Sequence, residues 1–196
     1  MTDKERSWDQ LLKIRTGGRD DINSDQYRYP YEPTPYSVLE RLAESCLIGA
    51  DDVVLDYGCG KGRVDFFLSR QAGAKTIGIE YDERIYAAAE ENRITSKSGS
   101  EFLLTNAERY AVPPEVNRCY FFNPFSVEIL RKVMARILVS YYEDPREIFL
   151  FFYYPSDEYI SYLMTVDELD FYDEISCDDL FPGNDPRERI LIFQLP

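Results

Sequence analysis

The chain of 196 residues contains no histidine. That absence removes every mechanism in which an imidazole activates a serine or cysteine, and leaves carboxylates, Tyr, Lys or water for proton transfer. Cys46, Cys59, Cys119 and Cys177 form no CxxC pair. Neither a zinc site nor a disulfide framework is therefore expected, and no metal ligand is assigned. Basic residues are scarce, with 22 Lys and Arg against 36 Asp and Glu, a net charge of −14. Such a chain repels polyanions, which argues against a nucleic acid partner and favours cationic or neutral ligands. The acidity concentrates in residues 141–196, where fourteen acids face only Arg146, Arg187 and Arg189. A solvated acidic face is the ordinary reading of that excess. Long apolar runs are also missing: the longest, 148–154, is strand-length, and the opening MTDKERSWDQ has no signal-like stretch. A cytoplasmic protein without a membrane partner is expected.

What is present is enough for one folded domain, since 44% of residues are hydrophobic and 15% aromatic, far from the composition of a disordered chain. From residue 53, short apolar runs alternate with segments of helical period, the pattern of a mostly parallel sheet with crossover helices. Strands are predicted at 53–57, 76–80, 101–104, 119–122 and 148–154. The helices between them run over 63–71, from Asp82 to about 94, and from Ser126 to about 141, making five βα units. After a short helix near 157–164, strands at 169–176 and 189–195 would form an antiparallel pair closing the sheet. Upstream, Thr2 and Glu5 make a capping box for a helix ended by Gly17-Gly18. Thr34 would cap a second helix with Pro35 at its first position and a buried stripe reaching Cys46. Residues 1–34 are thus read as an N-terminal helix and connector ahead of a domain over 35–196. The aromatic, proline-stiffened connector around Tyr29, Tyr31 and Tyr36 is either a packed loop or a lid over a site.

The chemistry sits in the stretch VVLDYGCGKGR, residues 53–63. Its GxGxG spacing departs from the GxGxxG dinucleotide fingerprint, and Lys61 is followed by glycine rather than the Ser or Thr of a phosphate-binding P-loop. Asp56 would repel a pyrophosphate but attract a ligand carrying an ammonium and a sulfonium, which is S-adenosylmethionine. With Asp56-Tyr57-Gly58-Cys59-Gly60-Lys61-Gly62 the sequence resembles the class I S-adenosylmethionine-dependent methyltransferases over roughly residues 35–195. The resemblance implies a Rossmann-like, doubly wound, seven-stranded α/β sheet. It further implies S-adenosylmethionine bound by Asp56, Tyr57, Gly58, Cys59, Gly60 and Gly62. Glu80 and Tyr81 would lie at the ribose, and Asn106 and Ala107 beside the adenine, with Glu108 an alternative to Asn106.

Asn123-Pro124-Phe125 is similar to the motif of the family's amino-group methylases with one proline missing, and to an Asn-containing motif of the non-SET lysine methyltransferases. By that resemblance the Asn123 side chain and the next carbonyl would orient an acceptor nitrogen while Phe125 packs against the substrate. Methyl transfer to a nitrogen of a small molecule or a protein side chain is therefore expected, with Tyr29, Tyr31 and Tyr36 as candidate acceptor contacts. An oxygen methyltransferase and a non-catalytic S-adenosylmethionine-binding protein stay open as alternatives.

Overall fold

The computed structural model describes residues 2–196. Its apolar runs form β1 (Val53–Tyr57), β2 (Lys75–Glu80), β3 (Glu101–Leu104), β4 (Arg118–Phe121) and β5 (Ile148–Tyr153), all parallel. β6 (Asp170–Ser176) and β7 (Arg189–Leu195) complete a seven-stranded sheet of order β3-β2-β1-β4-β5-β7-β6. Only β7 runs against the others, between β5 and β6. β1 and β5 are buried at every position, because helices cover both faces of a parallel sheet and leave no polar side to alternate with. The direction of strand addition reverses between β1 and β4, where the carboxyl ends of the two strands open a crevice.

One face is covered by α1 (Asp3–Leu12), α2 (Tyr36–Glu44), α3 (Arg63–Gln71) and α4 (Glu83–Ser96), whose Leu12, Leu39, Phe67 and Ala89 share a core with Tyr120 and Phe151. The other is covered by α5 (Val127–Glu143) and α6 (Asp157–Leu163). There Tyr57, Phe121 and Phe152 stack across three neighbouring strands with ring centroids 4.6 Å apart. Each such pair adds about 0.5–1.5 kcal/mol to its burial. Among the described residues all four cysteines are free thiols, none of the acids clusters as a metal site, and no helix is long and apolar enough to cross a membrane.

Several expected boundaries move. α1 stops at Leu12, with Lys13 left-handed (φ 58°), well before Gly17-Gly18. The cause is Asp9, which is buried and collects the Thr16 N–H at 2.8 Å and the Thr16 and Tyr36 hydroxyls at 2.7 Å, pulling the chain back across the helix. Thr34 does not cap α2, which begins at Tyr36; its hydroxyl lies 3.0 Å from that of Tyr120. Cys46 is exposed at φ 58°, past the end of α2 rather than in its buried stripe. The third crossover is no helix beyond a 3-10 turn at Ala107–Arg109, since Pro113 and Pro114 cannot continue one. Four βα units, not five, precede β6 and β7.

Candidate cofactor and acceptor site

The first strand-to-helix turn forms the floor of the crevice. Gly58 and Cys59 both donate their N–H to the Ile79 carbonyl, at 2.9 and 3.1 Å, binding the turn to β2. Gly58 and Gly60 take left-handed backbone (φ 73° and 59°), which only glycine adopts freely. A Cβ on Gly58 would sit 2.6 Å from Pro124 Cβ, and one on Gly60 would run into the Tyr31 ring. The connector therefore lies directly on the glycine loop. Tyr31 is fixed there by donating to the Thr16 carbonyl at 2.5 Å, with Lys61 Nζ 4.8 Å from its ring centre. Further along, Tyr29 N–H donates to the Pro124 carbonyl at 3.2 Å and Asn23 to Asp82 at 2.9 Å, so the strap is tied to both sides of the crevice.

Three ionisable groups below the loop are almost wholly buried: Asp56, Arg63 and Asp65. Arg63 Nε donates to Thr16 at 2.7 Å, and Nη1 donates to the Thr34 carbonyl at 3.1 Å and to Glu5. Nη2 makes no hydrogen bond, its nearest carboxylate being Asp9 at 3.8 Å. No donor meets Asp56 Oδ2 or either oxygen of Asp65. Burial raises the pKa of both acids, and the charge of Asp56 raises Asp65 further, as expected of neighbouring carboxylates cut off from water.

Across the crevice Glu80 ends β2, where Oε2 accepts from Gly60 N–H at 3.0 Å and Oε1 from Tyr81 and Asp82 N–H at 2.7 and 2.9 Å. Burial pushes this carboxyl up while those three donors pull it down. Asn106 presents its amide oxygen to Glu108 N–H at 2.9 Å, capping the 3-10 turn, and its amide nitrogen to the Glu108 carboxylate at 3.2 Å. The expected acceptor for an adenine amino group is thus already engaged locally.

Of the residues expected at the site, Asp56, Gly58, Cys59, Glu80, Tyr81, Asn106, Ala107, Pro124, Phe125, Tyr29 and Tyr31 line one cleft. The others lie elsewhere. The Tyr57 ring packs in the opposite core, because successive strand residues face opposite ways. Gly62 backs onto Phe102 and Phe66. Tyr36 is fully buried, stacked on Trp8 and bonded to Asp9, and so is no acceptor contact. Asn123 (φ 39°) faces a neighbouring cavity, its amide nitrogen donating to the Tyr154 carbonyl and its oxygen accepting from Ser156 N–H at 3.3 Å. Sequence reasoning missed Arg63 and Asp65. The signal available was two charged residues opening an otherwise apolar helix directly after the glycines.

No protein-family model matches the chain. A protein-lysine N-methyltransferase of Saccharolobus islandicus (strain REY15A) is 38% identical over 74 residues, 35% of this chain and 46% of that protein. The match therefore spans less than half the length of that relative. Among solved structures, an RNA methyltransferase from Salinibacter ruber in complex with S-adenosyl-L-homocysteine is 18% identical, with TM-score 0.57 over 84% of this chain and 94% of that one. A TehB-like S-adenosylmethionine-dependent methyltransferase from Corynebacterium glutamicum is 16% identical, with TM-score 0.58 over 96% and 94%. At these identities the likeness is one of fold. Strand order, the glycine turn between β1 and α3 and these likenesses together give the chain the fold of the class I S-adenosylmethionine-dependent methyltransferases.

Proposed function

We propose that the protein transfers a methyl group from S-adenosylmethionine to an amine nitrogen. The observation that carries this reading is the pair of buried, unpartnered atoms below the glycine loop, Asp56 Oδ2 and Arg63 Nη2, both on residues that line the cleft. An acid and a guanidinium left without partners suit the ammonium and carboxylate of an amino acid end, and each unmet group costs about 1–3 kcal/mol until a ligand meets it. The Gly58 and Gly60 turn, which tolerates no side chain, would let the ligand approach the backbone. Glu80 would accept from ribose hydroxyls with the lone pairs its three N–H donors leave free, and Ile79, Ile85 and Ala107 would face the adenine. When bound, the cofactor would supply a methyl carbon already activated on a sulfonium; an ammonium acceptor would first give one proton to water, and the freed lone pair would form the N–C bond as the C–S pair returned to sulfur. The protein's own task is alignment, which accounts for the lack of an imidazole. Asn123, held by Tyr154 and Ser156, fixes the backbone that presents the Pro124 carbonyl.

The name of the Saccharolobus relative adds a protein lysine as acceptor, and a chain of net charge −14 is better matched to a cationic protein than to RNA. Calorimetry should find S-adenosylmethionine and S-adenosylhomocysteine binding in the micromolar range and NAD not at all. Radiolabelled methyl should then pass to lysine-containing peptides in preference to RNA or small hydroxyl compounds. Tighter binding of NAD, or transfer to RNA alone, would refute the proposal.

A further inference from the structure

We propose that a second cavity beside the cofactor cleft admits the methyl acceptor as an alkylammonium, the chemistry of a lysine side chain; this rests on the methyltransferase reading above. The cavity, of about 490 Å³, lies between the connector and the ends of β4 and β5, and its walls include Tyr29, Phe122, Asn123, Tyr153, Tyr154 and Glu188. Tyr29 and Phe122 also line the cofactor cleft, so a chain entering through the cavity arrives beside Pro124. Four aromatic rings suit an aliphatic stem, and their faces attract an ammonium within about 6 Å. Tyr154 already takes a cation this way: the Arg187 guanidinium lies 4.7 Å from its ring centre.

Charge points to the same ligand. Tyr153 and Tyr154 donate their hydroxyls to Glu188 and Asp185 at 2.5 and 2.8 Å. The Tyr29 hydroxyl is raised in pKa by burial and then by Glu158 and Glu128, which places two further carboxylates near its ring. Arg19, the cation that lines the cavity, is paired with Glu32 at 3.6 Å, and Arg187 beyond Tyr154 is paired with Asp185 at 2.9 Å. A surplus of negative charge over aromatic walls disfavours phosphate and carboxylate ligands and gives a neutral alcohol no cation–π attraction. Asn123 and Tyr154, which meet through the Asn123 amide, are both left-handed (φ 39° and 51°). Backbone held in that region clusters at sites where geometry matters more than stability.

The test uses the full chain saturated with S-adenosylhomocysteine, titrated with N-acetyl-lysine amide and, as the stem without its charge, N-acetyl-norleucine amide, followed by NMR. The lysine probe should bind at least ten-fold tighter than the norleucine probe. Tyr154→Ala and Glu188→Gln, both at half-buried positions that line the second cavity and not the cofactor cleft, should each weaken it five-fold or more while leaving S-adenosylhomocysteine affinity within two-fold. Equal binding of the two probes, no binding of the lysine probe, or unchanged affinity in both variants overturns the acceptor site. Failure to bind S-adenosylhomocysteine overturns the methyltransferase reading instead.

Discussion

Replacing Asp65 by asparagine should stabilise the protein, and increasingly so as pH rises. Asp56 and Asp65 are both excluded from water and no other donor reaches Asp56 Oδ2 or the Asp65 oxygens, so folding them ionised is unfavourable. Burial raises Asp56 from 3.8 to about 7, and Asp65 also moves up, with the Asp56 charge adding to its burial. A raised carboxyl pKa means that the folded chain keeps a proton the unfolded chain has already released. The resulting cost is absent below the unfolded value, grows as pH climbs from about 4, and levels off above the folded value. Holding a proton about a thousandfold more tightly corresponds to roughly 4 kcal/mol for Asp56 alone. Asp65→Asn would remove one of the two raised carboxyls, put a neutral amide in its place beside Asp56 and relieve part of that cost. Urea denaturation of both proteins at pH 5, 6, 7 and 8 gives the comparison. The difference in unfolding free energy should favour the variant and widen with pH. A difference that is flat across this range, or a parent that is more stable at pH 8, would show that burying the two carboxyls carries no such cost.

Glu80→Ala removes the acceptor of three N–H groups, including that of Gly60, along with the proposed ribose contact. S-adenosylhomocysteine affinity should fall about ten-fold or more, equivalent to at least about 1.4 kcal/mol, and unchanged affinity in a folded variant would exclude both roles. Gly60→Ala puts a methyl group into the Tyr31 ring on left-handed backbone, so a loss of about 1–3 kcal/mol is expected by thermal denaturation, together with faster cleavage of the connector by trypsin. Cleavage of the parent chain between Arg15 and Arg28 should slow when S-adenosylhomocysteine is added, and equal rates would mark the connector as a packed loop rather than a lid. Asn123→Ala should retain cofactor binding while methyl transfer falls by about two orders of magnitude, the scale of lost alignment; an undiminished rate would leave Asn123 as a turn residue only.

The middle of the sheet was legible because β1 and β5 are apolar on both faces, with β1 running into Gly58 and β2 ending at Glu80, a pattern that depends on local sequence alone. The crevice was legible for the same reason: Asp56, the glycines and Glu80 are strand-end residues, and parallel strands bring their ends to one edge. What local sequence could not express was partnership at a distance. Thr34 looks like a helix cap, yet its hydroxyl meets Tyr120 across 86 residues. Gly17-Gly18 looks like the end of α1, yet Asp9 ends it earlier by bonding Thr16 and Tyr36. Tyr36 looks like part of an aromatic connector, and Asn123 like a group aimed at the sulfonium. Each is placed by a partner on another element, and no periodicity records which partner wins.

Arg63 makes the cofactor loop depend on residues far upstream of it. Its guanidinium is held by Glu5, Thr16 and the Thr34 carbonyl, lies 4.3 Å from the Tyr36 ring centre, and is 2% exposed. Trp8 meanwhile packs edge-on to Phe67 of α3. A chain shortened to begin at residue 35 would keep every motif of the fold but strip Arg63 of its Glu5, Thr16 and Thr34 partners and uncover the face of α3 on which Trp8 packs. The stretch before residue 34 thus has two parts with opposite duties. Residues up to Thr16 act as a wedge that props the glycine turn from beneath, while the strap from Arg19 to Pro33 lies over the turn and is joined to the wedge by the Tyr31 hydroxyl on the Thr16 carbonyl. Minimising this protein by trimming to its motif-bearing region would remove part of the support under the binding loop.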